Sequence, residues 1–231
     1  MPKRVVSIRD DMKSSVVTKP DPYAIILEGR LNTYRHYVRR KDAVGDGVIG
    51  DIVRDASFAY TDGGKVVWYS SLYGISSVID FMTLFLDSKN PNCVILIGSC
   101  GLGREISRKT LVIPRSATQE TKVIRGTADE AMIRVASQIA QRNDFEVVVT
   151  DKHVSKFSIL RELAETDGES EDLEAASVYY LANSYGVPAV ALLGVSDYKS
   201  GGYTVYVDYE EQLKDDVFAL ASAVIQGFEP P

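Results

Sequence analysis

Two cysteines, two histidines and no long apolar run are the scarcities that narrow this 231-residue sequence. Cys93 and Cys100 share one apolar stretch, NCVILIGSC, where extended chain holds them beyond disulfide reach. A disulfide framework is excluded, and two buried thiols are expected. His36 and His153 stand beside no cysteine, so a Cys/His zinc site lacks ligands and no metal is expected. A serine hydrolase would have to use one of these two histidines, and the Gly-x-Ser-x-Gly elbow is missing. No segment approaches about 18 uncharged apolar residues, and the amino terminus MPKRVVSIRDDMKSSVV is too polar for a signal peptide. A cytoplasmic protein without a membrane span is the expectation. Basic excess is missing as well: 26 Lys plus Arg face 32 Asp plus Glu, a net charge of -6. That balance argues against nonspecific binding to nucleic acid or to a membrane surface, while leaving room for a local basic patch.

The rest of the composition, 45% hydrophobic and 25% charged with 17 Gly, is that of an ordinary globular protein. Tyr23 to Gly29, YAIILEG, reads as a buried strand closed by Gly. Ser57 to Tyr73 reads as a β-hairpin turning at Gly63-Gly64. After Gly74, residues Ile75, Val78, Ile79, Met82 and Leu86 recur at helical spacing. CVILIGS has the continuous apolar character of a central strand covered on both faces, ending in Gly98-Ser99-Cys100-Gly101. Thr110 to Thr118 reads as one strand, with Pro114 marking an edge or bulge. Thr127-Ala128-Asp129-Glu130 has the form of a capping box before a helix carrying Met132, Val135, Ala136 and Ile139. FEVVVTD is a strand, LEAASVYYLANSYG a helix stopped by Gly186 and Pro188, and PAVALLGVSDY a strand. Glu210 to Phe228 forms a final amphipathic helix with Leu213, Val217, Leu220, Ala221 and Val224 on one side. Strands and helices interleave with no linker or repeat, so residues 1–231 are expected to form one α/β domain, with 1–20 as an irregular leading segment.

Ligands of open α/β sheets gather at the carboxyl ends of strands. Three strand ends here turn polar: Gly29-Arg30, Gly98-Ser99 and Ser196-Asp197. Glu174 adds a carboxylate in the first turn of an otherwise apolar helix. Read singly, each has a plainer explanation, since a carboxylate at a helix start partners the dipole and Ser after Gly is turn chemistry. Together they are harder to dismiss.

VILIGSCG, the segment EDLEAASVYYLANSYGVPAVALLGVSDY, and the hairpin with Phe58, Gly64 and Tyr73-Gly74-Ile75 resemble the purine nucleoside phosphorylase/uridine phosphorylase family. The resemblance runs from about Tyr23 to the last helix. It implies a single-domain, three-layer αβα sandwich around a central mixed twisted sheet, and cleavage of the bond between a nucleobase and ribose. It further implies Glu174 and Asp197 as catalytic residues: Glu174, with Leu173, holds the ribose hydroxyls, and Asp197, oriented by Ser196, protonates a purine at N7. Gly29, Gly98 and Ser99 correspond to the phosphate site. The departures matter too. Leu96 and Thr33 stand where the family has phosphate-binding arginines, so Arg30, Arg35 or a neighbouring subunit's Arg54 would have to compensate, or remain ordinary surface arginines. His153 or Phe157 falls where a phenylalanine stacks on the base, although a structural role suits His153 equally. The resulting expectation is a purine nucleoside phosphorylase using inorganic phosphate as co-substrate and no cofactor, assembled as a homo-oligomer, a hexamer or trimer of dimers. Val66, Val67, Trp68 and Tyr69 are candidates for the interface or the core. The alternatives are a hydrolytic nucleosidase of the same fold, a uridine phosphorylase, and a noncatalytic nucleoside-binding paralogue.

Overall fold

The computed structural model describes residues 21–29, 57–157, 168–207 and 210–230. It is a three-layer αβα arrangement around one mixed sheet, as the resemblance implies. Strand β1 (Ala24–Gly29) lies parallel to both β3 (Lys65–Leu72) and β4 (Cys93–Leu102). Strand β2 (Ser57–Asp62) pairs antiparallel with β3 through a turn in which Gly63 and Gly64 take φ of 56° and 81°, the mirror-image geometry that a tight hairpin requires. Helix α1 (Gly74–Leu86) follows and buries Ile75, Val78, Phe81, Met82, Leu84, Phe85 and Leu86. Beneath it Trp68 meets the Phe85 ring edge-on at 5.0 Å. Val67, Trp68 and Tyr69 are therefore core residues, and Val66, half-buried, packs against that core.

Past β4 come β5 (Thr110–Pro114), β6 (Ser116–Gln119) and β7 (Arg125–Thr127). The single strand expected over 110–118 is thus broken at Arg115, directly after Pro114. β5 continues the sheet beside β8 (Glu146–Thr150), whereas β6 pairs with β7 and with β9 (His153–Ser155). Helix α2 (Glu130–Arg142) is capped by Asp129, whose side chain accepts from Met132 N at 2.9 Å. Thr127 cannot serve as the expected cap because it belongs to β7, where its N–H bonds Asn183.

Strand β10 (Ser170–Asp172) leads into helix α3 (Ala175–Tyr185), which ends on Gly186 in the left-handed region at φ 69°. Strand β11 (Ala189–Ser200) turns at Gly201-Gly202 into β12 (Tyr203–Tyr206), and helix α4 (Glu210–Gly227) closes the described chain. Helices α1 and α3 pack together, as do α2 and α4. Among the described residues no helix is long and apolar enough to cross a membrane.

β4 organises the sheet. On one side it keeps a single partner, β11, from Val94 to Leu102. On the other it exchanges partners: β1 accompanies it as far as Ile97, and antiparallel β10 takes over at Gly101. Between them, at Gly98-Ser99-Cys100, the ladder on that side is interrupted among the described residues. These residues belong to the strand itself and not to a loop after it. A cavity opens at this partner exchange.

Candidate active site

The cavity has a volume of about 220 Å³ and is lined by Gly29, Ser99, Cys100, Gly101, Lys156, residues 171–174, Ser196, Asp197 and Tyr206. It brings together Gly29, Ser99, Leu173, Glu174, Ser196 and Asp197, six residues expected from the sequence at separate strand and helix ends.

Glu174 occupies the N-cap position of α3, and its side chain turns into the cavity instead of capping the helix. Its Oε1 accepts from Gly74 N at 2.7 Å. Its Oε2 lies against Gly29, where an added Cβ would stand 2.8 Å away, so only glycine fits there without moving the carboxylate. The helix is capped by Asp172, two residues earlier, whose Oδ2 accepts from Ala175 N at 2.8 Å. Asp172 Oδ1 accepts from Ser155 Oγ at 2.6 Å, and that hydroxyl accepts from Ala176 N at 2.8 Å. These bonds satisfy the N–H groups of the first turn and free the Glu174 side chain from capping duty.

His153 belongs to this support. Its ring is 1% exposed, Nδ1 is 2.7 Å from Ser170 Oγ, and Nε2 is 3.0 Å from Asp172 Oδ1 without hydrogen-bond alignment. It lies behind the cavity wall and is not placed to stack on a base. Phe157 is exposed and outside the lining, so it does not take that place either.

At the other end, the pairing of β11 with β4 slips by one residue: Val195 opposes Cys100 and Asp197 opposes Gly101, leaving Ser196 as the extra residue of a bulge. A bulge re-aims side chains, and here both Ser196 and Asp197 reach the cavity. Ser196 Oγ donates to Asp197 Oδ1 at 2.9 Å. Asp197 Oδ2 lies over Gly101, 3.1 Å from where a Cβ would be, and Glu171 Oε1 comes within 3.4 Å of that same point. Two carboxylates thus fold over one glycine. Burial pushes the Glu171 carboxyl up from its ordinary range; Lys156 pulls it back, and Asp197 adds to the rise. Lys156, 3% exposed, holds Glu171 Oε2 at 2.9 Å.

Lys156, Glu171 and Tyr206 were not expected from the sequence. Glu171 sits within an acidic stretch that gives no strand signal, and Lys156 is a single cation after a three-residue strand. Tyr206 was findable, because Gly201-Gly202 repeats the Gly-Gly hairpin signal of residues 63–64. Gly98 lies behind the lining, within 3.8 Å of Gly29 O if given a Cβ. Leu96 is a core residue between Leu27 and Ala191, 1% exposed. Arg30, Arg35, Arg54 and Thr33 lie outside the described residues. Both cysteines are buried and free; burial pushes the Cys93 thiol up to about 12 and, with nearby carboxylates, raises Cys100 well above its usual range. Among the described residues no cluster of His, Cys, Asp and Glu is arranged to hold a metal.

No protein-family model matches the chain. In sequence it is similar to the DeoD-type purine nucleoside phosphorylase of Bacillus velezensis, 24% identical over 175 residues that cover 69% of this chain and 75% of the relative. The DeoD-type 1 enzyme of Vibrio cholerae is 25% identical over 190 residues, covering 74% and 79%. Among solved structures, the 5'-methylthioadenosine/S-adenosyl homocysteine nucleosidase of Campylobacter jejuni superimposes with a TM-score of 0.68 at 11% identity, covering 88% of this chain and 97% of that one. The native futalosine hydrolase of Helicobacter pylori gives 0.68 at 12%, covering 90% and 100%. At such identities the structural likeness speaks for the fold.

Proposed function

We propose that this chain, a divergent member of the nucleoside phosphorylase superfamily, cleaves the N-glycosidic bond of a purine nucleoside with inorganic phosphate as the nucleophile. The observation that carries this reading is the placement of Glu174 and Asp197 in one cavity, the first held by a backbone N–H and the second by a neighbouring hydroxyl. Breaking the bond between C1' and N9 leaves positive charge on the sugar and an electron pair on the base. Glu174 would accept hydrogen bonds from the ribose hydroxyls, bonds that strengthen as the ring becomes cationic. Asp197 would deliver a proton to N7, so that the base departs neutral. A phosphate oxygen then bonds to C1', giving free base and ribose 1-phosphate. Ser99 and the backbone around Gly29 offer the anion donors and close approach, and Arg30 follows Gly29 directly in the sequence.

A second reading, hydrolysis by water, is favoured by one observation: the family's arginine position is taken by buried Leu96, and among the described residues the only cation lining the cavity, Lys156, pairs with Glu171. Incubating the protein with adenosine or inosine, with and without phosphate, separates the two. Ribose 1-phosphate formed only with phosphate is the expected result. Free ribose at a rate indifferent to phosphate establishes the nucleosidase, and intact nucleoside under both conditions overturns catalysis. A homo-oligomer, a hexamer or trimer of dimers, is part of the same proposal, and light scattering giving a monomer would contradict it.

A further inference from the structure

Among the described residues Lys156 is the one basic side chain lining the cavity, and neither sugar binding nor N7 protonation uses it. A lysine this buried needs a counter-charge, which Glu171 supplies at 2.9 Å. Glu171 in turn shares the space over Gly101 with Asp197. The strand pairings fix the order: Gly101 has Asp197 opposite it on one side and Glu171 on the other, and Lys156 directly follows β9, the next strand beyond Glu171. Asp197, Glu171 and Lys156 therefore form a row along the wall.

The hydrogen-bonding character alternates along that row. Asp197 Oδ1 already accepts from Ser196, so a proton on this carboxyl sits on Oδ2, making it a donor beside Gly101. Glu171, with Lys156 Nζ 2.9 Å from its Oε2, offers carboxyl oxygens as acceptors. Lys156 has three N–H donors beside the Glu171 carboxylate with which it pairs. Donor, acceptor, donor is the complement of a purine carrying an amino group at C6, which presents N7 as acceptor, the exocyclic NH₂ as donor and N1 as acceptor in the same order. A 6-oxopurine presents acceptor, acceptor, donor, and mismatches the row at its last two positions.

Resting on the purine nucleoside reading above, we propose that Lys156 and Glu171 select 6-aminopurine nucleosides, Glu171 accepting from the exocyclic amino group and Lys156 donating to N1. The test compares kcat/KM for adenosine and inosine in the wild-type protein and in Glu171→Gln and Lys156→Met. Wild type should prefer adenosine by about 10-fold or more, the scale of one hydrogen bond to a charged group, and both variants should narrow the ratio by losing adenosine turnover. Because breaking a buried pair can unfold the protein, wild type is also assayed with 1-deazaadenosine, which lacks N1, and N6,N6-dimethyladenosine, which lacks the amino donors. Each should fall about 10-fold below adenosine. Inosine used as well as adenosine, or both analogues at full rate, overturns the role of Lys156 and Glu171 and leaves purine cleavage in place. Turnover of uridine with no turnover of either purine overturns both.

Discussion

The two ends of the cavity are built on opposite principles. At the Glu174 end the carboxylate is released from capping and fixed by backbone: Asp172 and Ser155 take the N–H groups of Ala175 and Ala176, Gly74 N–H holds Glu174 Oε1, and His153 and Ser170 stand behind. At the Asp197 end a bulged strand and a short strand bring two carboxylates over Gly101, with a buried lysine to balance them. The first arrangement suits a group that must present a fixed negative charge to a sugar. The second suits one in which protons move and a base is read. A static acceptor is best preorganised, whereas proton transfer needs carboxyls in differing environments within reach of each other.

The sharpest way to break the comparison is to remove each charge. Glu174→Gln and Asp197→Asn should each lower turnover by about 10²-fold or more with the fold intact by circular dichroism. Only the Asp197 variant should recover with substrates whose leaving group is already activated; equal recovery of both would erase the division of roles. A milder test adds one methyl group at each end. Gly29→Ala presses on Glu174 Oε2 and should weaken ribose binding, about 10-fold in KM, whereas Gly101→Ala presses on Asp197 and Glu171 and should alter base preference first. Steady-state kinetics with ribose- and base-modified nucleosides reads both effects.

Stability should separate the ends as well. Asp172→Ala removes a buried acceptor of the Ala175 N–H and Ser155 hydroxyl bonds and should cost about 2 kcal/mol or more in urea denaturation. Unchanged stability would mean that α3 starts without this cap. The smallest effect concerns Glu171. A carboxyl held above its ordinary range favours the protonated form in the fold, so its contribution is fully present below the unfolded value, about 4.3, and is lost as pH rises through the raised one. Glu171→Gln cannot titrate, and the stability difference should shift toward the variant as pH rises above about 4.3. A difference independent of pH would contradict the crowding of carboxylates over Gly101.

What the sequence revealed follows the same division. The hairpin at Gly63-Gly64, the apolar β4, the Gly186 stop and the polar end of β11 are local signals, and each was legible. Glu174 and Asp197 were legible as candidates because the first opens a strong helix pattern and the second closes a strong apolar strand pattern. The strands of three residues, β7, β9 and β10, carry no periodicity, since their pairing comes from partners distant in the chain. Glu171 lies on β10 and Lys156 directly follows β9, and both were missed for that reason. The sequence leaves His153 open between stacking and support because a ring buried behind a wall and a ring lining it look alike in sequence.

The most direct measurement is release of free adenine from adenosine in the presence of phosphate, followed chromatographically for wild type and Glu174→Gln side by side. Release by wild type, reduced about 10²-fold or more in a folded Glu174→Gln, is the predicted result. Adenine released equally by both proteins, or by neither while both remain folded, would contradict the assignment of this cavity as the site of glycosidic cleavage.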